Sequence, residues 1–446
     1  MLQAEQTLQN RYQLRRRLSQ RAGRQTWLAE DSTTQPEKLV VVKLLTFSDQ
    51  VQWDNLRLFE REAQVLRQLK HPRIPKYHDY FCIDDQVLWF GLVQEYIPGW
   101  SLKELLAQGE IFTETDGHAM AKQLLDILIY LHELNPPVLH RDIKPSNVIW
   151  GKDRRLYLID FGAVQDRAAH EGATFTVVGT YGYAPLEQFG GRATPASDLY
   201  ALGATLIHVL TGIAPADLPQ KDSHLQFANQ VKLHPGFVRW LGRLTDPNLE
   251  KRFSMARQAL ETLQNTNAAS TGLTQPRPLK SRIQLKKLPD RLEITIPAYR
   301  FDGWYILALA SLIVLVYGFL TLDLPLSSLI ESPIFFLCLG LLMVGLVGLA
   351  KSIILKFRQT YVYFNSQTFE IEWRLFGVWG RRRRGQVLAI DQVCRGEIRG
   401  VGKKVFPTVT IAVGIQEYTL TSFAPELAEA ECRWLVQEIR GWLGLT

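Results

Sequence analysis

His140-Arg141-Asp142-Ile143-Lys144-Pro145-Ser146-Asn147 is followed, eighteen residues past Asp142, by Asp160-Phe161-Gly162. Either stretch alone reads as ordinary loop. The two in this order and at this spacing leave coincidence remote. Upstream, Leu39-Val40-Val41-Val42-Lys43 is a β-branched run ending in a lysine, which reads as a buried strand presenting one ammonium at its end. Nineteen residues later stands Glu62, in a stretch where Phe59, Ala63, Leu66 and Leu69 recur at helical spacing. A strand-end lysine is ordinarily solvated and a helical glutamate is ordinarily surface. Their order relative to the two loops is what gives them weight.

This succession resembles the eukaryotic-type (Hanks-type) serine/threonine protein kinases of bacteria, and the likeness covers about residues 12–262. The resemblance implies an α+β, bilobal protein-kinase fold over residues 1–263, with ATP and Mg2+ as cofactors and a protein bearing Ser/Thr hydroxyls as partner. Carried over residue by residue, Asp142 sits beside the attacking hydroxyl, Lys144 steadies the γ-phosphate, and Lys43, oriented by Glu62, holds the α- and β-phosphates. Asn147 and Asp160 hold magnesium, and Glu95, Tyr96 and Ile97, in the strand-to-hinge segment, bind the adenine edge. Arg141 is the regulatory cation, with Thr174 and Thr176 as phosphate acceptors, while Thr180 serves the substrate-binding turn. The resemblance also implies that Asp198 braces the catalytic loop and that Arg252 pairs with Glu187.

One stretch departs from the pattern. Kinases cover the phosphates with a G-x-G-x-x-G-x-V loop, whose glycines let backbone N–H groups approach an anion. Here Ser19, Arg21 and Arg24 stand at the three glycine positions and Thr26 at the valine, with Gly23 one place off. The arginines offer charge to the phosphates in partial exchange for backbone contact. They are equally able to clog the lid, which keeps a pseudokinase reading open.

Composition bounds the remainder. The 446 residues allow two or three domains, and 46% apolar content fits a core plus membrane segments. Four scattered cysteines, without CxxC spacing, point to neither disulfides nor a zinc site. The polar, basic start predicts no cleavable signal peptide. A formal charge of +7 is modest for this length, and there is no nucleic-acid motif.

Residues 264–282, rich in Asn, Thr, Ser, Ala and Pro, read as a flexible linker. Residues 283–300 follow as a juxtamembrane strand, with Arg291–Pro297 alternating. Two uncharged runs, 304–322 and 333–350, are each about 27–29 Å long as helices and so predict a transmembrane hairpin. Arg300, Lys351, Lys356 and Arg358 flank the pair, whereas the connection carries only Asp323 and Glu331. By the positive-inside preference, the kinase region and both termini face the cytoplasm, in the plasma membrane or another internal membrane. Residues 359–446 alternate as strands and close on an amphipathic helix, a β-rich tail loosely resembling a pleckstrin-homology barrel. The whole arrangement is similar to kinase-linked membrane tails of cyanobacteria. Arg381–Arg384 reads first as a solvated hairpin tip and second as a lipid-headgroup contact.

The sequence therefore predicts a membrane-anchored serine/threonine kinase in signalling, with the lipid bilayer as a partner and a homodimer as a compatible assembly. The alternative is a pseudokinase scaffold or a membrane sensor with weak or absent catalysis.

Overall fold

The computed structural model describes residues 2–21, 23–47, 53–84, 87–163, 165–166, 179–270, 277–279, 281–288, 291–297, 358–375, 378–387, 389–399, 405–421 and 427–445, with isolated positions at 313, 317, 340 and 343. Apart from those four positions, the two uncharged runs lie outside the described residues, as do Thr174 and Thr176. Among the described residues no helix is long and apolar enough to cross a membrane. The chain divides into one unit of Met1–Leu233 with Phe237–Asn267, and a second of His234–Gly236 with Ala268–Thr446.

The first lobe of the first unit is a sheet of β1 (Thr7–Leu8), β2 (Tyr12–Arg21), β3 (Arg24–Asp31), β4 (Lys38–Phe47), β5 (Tyr77–Asp84) and β6 (Leu88–Glu95), ordered β1-β2-β3-β4-β6-β5. Helix α1 (Trp53–Gln68) connects β4 to β5. The apolar run in β4 is continuous because both faces of that strand are covered. Val40, Val42 and Leu44 join Tyr12, Leu14, Trp27 and Ala29 in a cluster on one face, while Leu45 packs with α1 on the other. Alternation then puts Lys43 on the α1 side. The helical stripe read from the sequence is buried as predicted, with Phe59, Ala63, Leu66 and Leu69 each under 10% exposed.

The second lobe is mainly helical. It contains β7 (Gly99–Ser101), α2 (Leu102–Ala107), α3 (Glu114–His132), β8 (Val138–Leu139), β9 (Val148–Gly151), β10 (Leu156–Leu158), β11 (Gln165–Asp166), α4 (Leu186–Phe189) and α5 (Pro195–Thr211). After these come β12 (Gln220–Lys221), β13 (His224–Leu225), α6 (Pro235–Leu244) and α7 (Ala256–Ser270). Reciprocal capping boxes, Ser101 with Glu104 and Thr113 with Asp116, start α2 and α3. Gly212, at φ 71°, ends α5 in the left-handed conformation that a glycine adopts without steric cost. Leu199, Leu202, Leu206 and Leu210 of α5 and Leu124, Leu125, Leu128 and Leu131 of α3 share one core, which continues into α1. The helix of the expected linker boundary runs on to Ser270, since neither Gly nor Pro interrupts it before Gly272.

The second unit holds a five-stranded meander of β14 (Gln284–Lys287), β15 (Arg291–Ile296), β16 (Arg358–Asn365), β17 (Thr368–Leu375) and β18 (Val378–Gln386). A three-stranded sheet of β19 (Gln392–Arg399), β20 (Val405–Val413) and β21 (Gln416–Thr419) follows, and then α8 (Glu429–Leu443). Their core collects Leu292, Ile294, Val362, Phe364, Ile371 and Val409 from the strands with Leu435 and Ile439 from the helix. Two expectations need correction. The juxtamembrane segment holds two strands rather than one, because Gln284–Lys287 is paired to β15 although its lysines mask the alternation. Arg381–Arg384 is not a hairpin tip. It lies within β18, opposite Trp373 to Glu370, where Glu370 pairs with both Arg382 and Arg384.

Arg252 follows the short turn Leu249–Lys251, its side chain 1% exposed, and meets Glu187 at 2.7 and 3.1 Å. Removing one member of such a pair strands the other as an uncompensated charge. Arg252→Ala is expected to cost about 3–5 kcal/mol in a urea titration, and the joint change Arg252→Met with Glu187→Leu is expected to cost less. An equal cost for both would show that the charges themselves carry little of the effect.

Candidate active site

Between the two lobes an ammonium sits between two carboxylates. Lys43 Nζ donates to Glu62 Oε1 at 2.5 Å and to Asp160 Oδ1 at 2.8 Å. Burial pulls the Lys43 ammonium down, but Asp160 and Glu62 together outweigh it and hold the group above the usual lysine range. Lys43 in turn, ahead of the opposing effect of burial, holds Asp160 well below the usual carboxylate range. Burial pushes the Glu62 carboxyl up, and Lys43 offsets part of that rise. Glu62 is only 3% exposed, whereas the Asp160 side chain keeps 45% exposure and so is open to solvent. Asp160 adopts φ 69°, a left-handed conformation rare outside glycine, which turns its carboxylate toward Lys43.

The loop before β9 is held from below. Asp198, fully buried at the first turn of α5, accepts the His140 N–H at 2.9 Å and the Arg141 N–H at 2.8 Å. It also meets His132 Nε2 at 3.0 Å. Burial works against the Asp198 charge, yet His132 and these donors leave its carboxyl below the usual range. Arg141, at φ 65°, is clasped on its other side, where Gln188 Nε2 donates to its carbonyl at 2.7 Å. Gln188 was not foreseen. A glutamine after a glutamate carries no signal of its own until the fold buries it.

Within the loop, Asp142 is fully engaged. Thr180 Oγ1 donates to its Oδ1 at 2.8 Å, and Lys144 Nζ donates to its Oδ2 at 2.7 Å. Asn147 Nδ2 donates to the Asp142 carbonyl at 2.8 Å and to its Oδ2 at 3.1 Å. Lys144 also reaches Thr180 Oγ1 at 2.7 Å, so a hydroxyl from the following segment already lies beside the carboxylate and the ammonium. Asn147 and Asp160 offer an amide oxygen and a carboxylate, the hard oxygen donors that suit magnesium together with phosphate oxygens. Glu95 ends β6, its N–H donating to the Lys76 carbonyl at 2.8 Å, and Tyr96 and Ile97 continue half-buried toward β7. The Arg141 side chain is buried, and its Nε has no hydrogen-bond partner among the described residues. Burial, with Arg61 nearby, lowers its pKa.

A family model for the protein kinase domain matches residues 29–267. The chain belongs to the protein kinase family. It is 36% identical over 220 residues to serine/threonine-protein kinase B of Synechocystis sp., covering 46% of this chain and 38% of that protein. It is 34% identical over 275 residues to serine/threonine-protein kinase PknA of Nostoc sp., covering 58% and 48%. To serine/threonine-protein kinase PrkC of Bacillus subtilis it is 32% identical over 215 residues, covering 47% and 32%. The chain thus spans less than half the length of each of these relatives.

The kinase loop depends on a neutral imidazole. His140 is buried, its Nε2 lies 3.1 Å from the Ile159 carbonyl, and its Nδ1 accepts the Asp142 N–H at 3.3 Å. Only the tautomer protonated at Nε2 satisfies both contacts. Burial accordingly moves the His140 pKa below its usual 6.5, and His71, His78 and His208 shift the same way. A depressed folded-state pKa means the unfolded chain binds the proton more readily. The stability these groups contribute is present above about pH 6.5 and lost as pH falls below it, by up to about 1.4 kcal/mol per pH unit for each proton. The melting temperature should decline from about pH 6.5 downward, and a flat profile to pH 5 contradicts a neutral His140.

Proposed function

We propose that the protein is a serine/threonine protein kinase that transfers the γ-phosphate of ATP to a protein hydroxyl. The observation that carries this reading is the Asp142–Lys144–Thr180 cluster beside the assembled Lys43–Glu62–Asp160 triad, since a scaffold has no need of either. A hydroxyl occupying the place of Thr180 Oγ1 gives its proton to Asp142 as its oxygen bonds to the γ-phosphorus. The bond to the β-phosphate oxygen breaks in line, leaving ADP. Lys144, within reach of both the carboxylate and that hydroxyl, offsets charge on the transferring group. Lys43 holds the proximal phosphates. Magnesium, which Asn147 and Asp160 would hold, supplies charge neutralisation to the triphosphate. We assign Arg141 to a phosphate on Thr174 or Thr176, because its buried guanidinium otherwise pairs incompletely.

The unit beyond the kinase domain supports a membrane tether. β15 and β16 are antiparallel neighbours, with Ile296 opposite Thr360. The chain therefore leaves the sheet after β15 and re-enters it beside the point of departure. Two spans return a chain to its starting side, and residues 304–322 and 333–350 have the length and apolarity for them. A meander of strands closing on α8 is in keeping with the pleckstrin-homology likeness of the tail. The kinase domain would then face the cytoplasm, where ATP is found.

Incubation of the full chain with labelled ATP, magnesium and a serine/threonine-rich acceptor should give phosphorylated protein. Asp142→Asn should lower the rate by roughly 10²–10⁴-fold while leaving the melting temperature nearly unchanged. Undiminished transfer by the variant removes the proton-acceptor role. A cysteine placed at Ser327 should label from outside intact cells, while cysteines at Ser281 and Ser366 should label only after permeabilisation. Labelling of the latter two from opposite sides means a single crossing.

A further inference from the structure

The lid of the nucleotide cleft is built on an unusual plan. Pairing between β2 and β3, irregular at Arg15 and Leu18, is regular from Ser19 to the tip, with Ser19 opposite Thr26 and Arg21 opposite Arg24. On its other edge β3 sets Thr26 opposite Lys43 and Arg24 opposite Leu45. Directly paired residues project from the same face of a sheet. Ser19, Arg21, Arg24 and Thr26 therefore all share the face of Lys43. The intervening residues of β3, Trp27 and Ala29, are buried on the opposite face, which agrees with this register.

Along β3, backbone contact with an anion is closed off. From Arg24 onward β3 is paired on both edges, so its N–H groups are committed to the ladders. The tip is tied down as well, since the Gly23 carbonyl accepts the Thr46 N–H at 2.8 Å and the Thr46 hydroxyl at 3.1 Å.

The charges in this sheet are used unevenly. Arg11 pairs with Asp31, and Arg15 pairs with Glu5 and Glu30. Arg21 and Arg24, at the tip on the cleft face, have no carboxylate partner among the described residues. Arg24 makes one long contact, Nη2 to Asn55 Oδ1 of α1 at 3.4 Å. Its positive charge also offsets a small part of the rise that burial imposes on the Glu62 carboxyl.

We propose that Arg24, with Arg21 beside it, grips the distal phosphates of ATP through its guanidinium group, in place of an amide nest. This rests on the nucleotide-site reading above. The strand coordinate says which phosphates. Glu95, at the adenine end, is opposite Val40, Lys43 is three residues along β4, and Leu45, opposite Arg24, is two more. At about 3.4 Å per residue, Arg24 lies about 7 Å beyond Lys43 on the side away from the adenine. A nucleotide laid from Glu95 past Lys43 brings its β- and γ-phosphates, and not its adenosine, beneath Arg24. A guanidinium there offers two parallel N–H groups to phosphate oxygens, a fork that an ammonium cannot reproduce.

Calorimetric titration of the full chain with Mg-ATP, Mg-ADP and adenosine tests the proposal. Arg24→Ala should weaken Mg-ATP by roughly tenfold to a hundredfold, the range for a charge-assisted contact, with a smaller loss for Mg-ADP and none for adenosine. Arg24→Lys should recover only part of the loss. A variant that weakens adenosine as much as Mg-ATP shows that Arg24 merely shapes the cleft, and this overturns the proposal. Unchanged Mg-ATP affinity in Arg24→Ala, with affinity lost in Asp160→Asn, overturns it while leaving the nucleotide site intact. If the unmodified chain binds neither Mg-ATP nor adenosine, the nucleotide site itself is wrong and the proposal falls with it.

Discussion

The kinase domain is organised around one largely buried ammonium. Lys43 on the sheet, Glu62 on α1 and Asp160 after β10 come from three separate elements and meet within hydrogen-bonding distance. An ammonium withdrawn from water alone is costly, and the interior tolerates it only when charge and hydrogen bonds compensate. The two contacts therefore stand or fall together. The register of β4 must turn Lys43 to the α1 side, α1 must be rotated to bring Glu62 inward, and Asp160 must accept a left-handed backbone. A slip of one residue in β4 exchanges its two faces and breaks the arrangement.

The lower lobe uses buried charge for a different purpose. Asp198 does not meet a substrate. It accepts two consecutive backbone N–H groups and so dictates the path of the loop that carries Asp142. The left-handed Arg141 persists because Asp198 and Gln188 hold its peptide from both sides. Arg252 does similar work further out, anchoring Glu187 at the close of the segment that supplies Thr180. Strain near the chemistry is thus balanced by interactions placed one layer behind it.

In the second unit, polar decoration hid part of the plan. β15, β16, β17 and β20 are legible from alternation because one face of each is apolar and inward. Gln284–Lys287 and Gln392–Arg399 carry charges at many of their positions, and only their ladders identify them as strands. Four consecutive arginines suggested a solvated turn. In the fold they form an edge strand, since Glu370 on the neighbouring strand pairs with two of them. Backbone pairing, and not the hydrophobicity of the stretch, decides strand membership there.

Order and residue type along the chain were enough to recognise the family and to single out Lys43, Glu62, Asp142, Lys144, Asn147 and Asp160 as candidates, because the family's pattern is carried by an ammonium, a carboxylate or an amide at those places. The buried stripe of α1 was equally legible, since 3.6-residue periodicity is a local property. What only the tertiary structure decided was which way each charge faces and what it meets. The part played by Gln188, the hold of Thr180 on Asp142, and the common face shared by Lys43 and Arg24 all depend on segments tens of residues apart. Contacts of that kind are set by sheet register and by the packing of one lobe against the other, and neither is written in any local stretch of sequence.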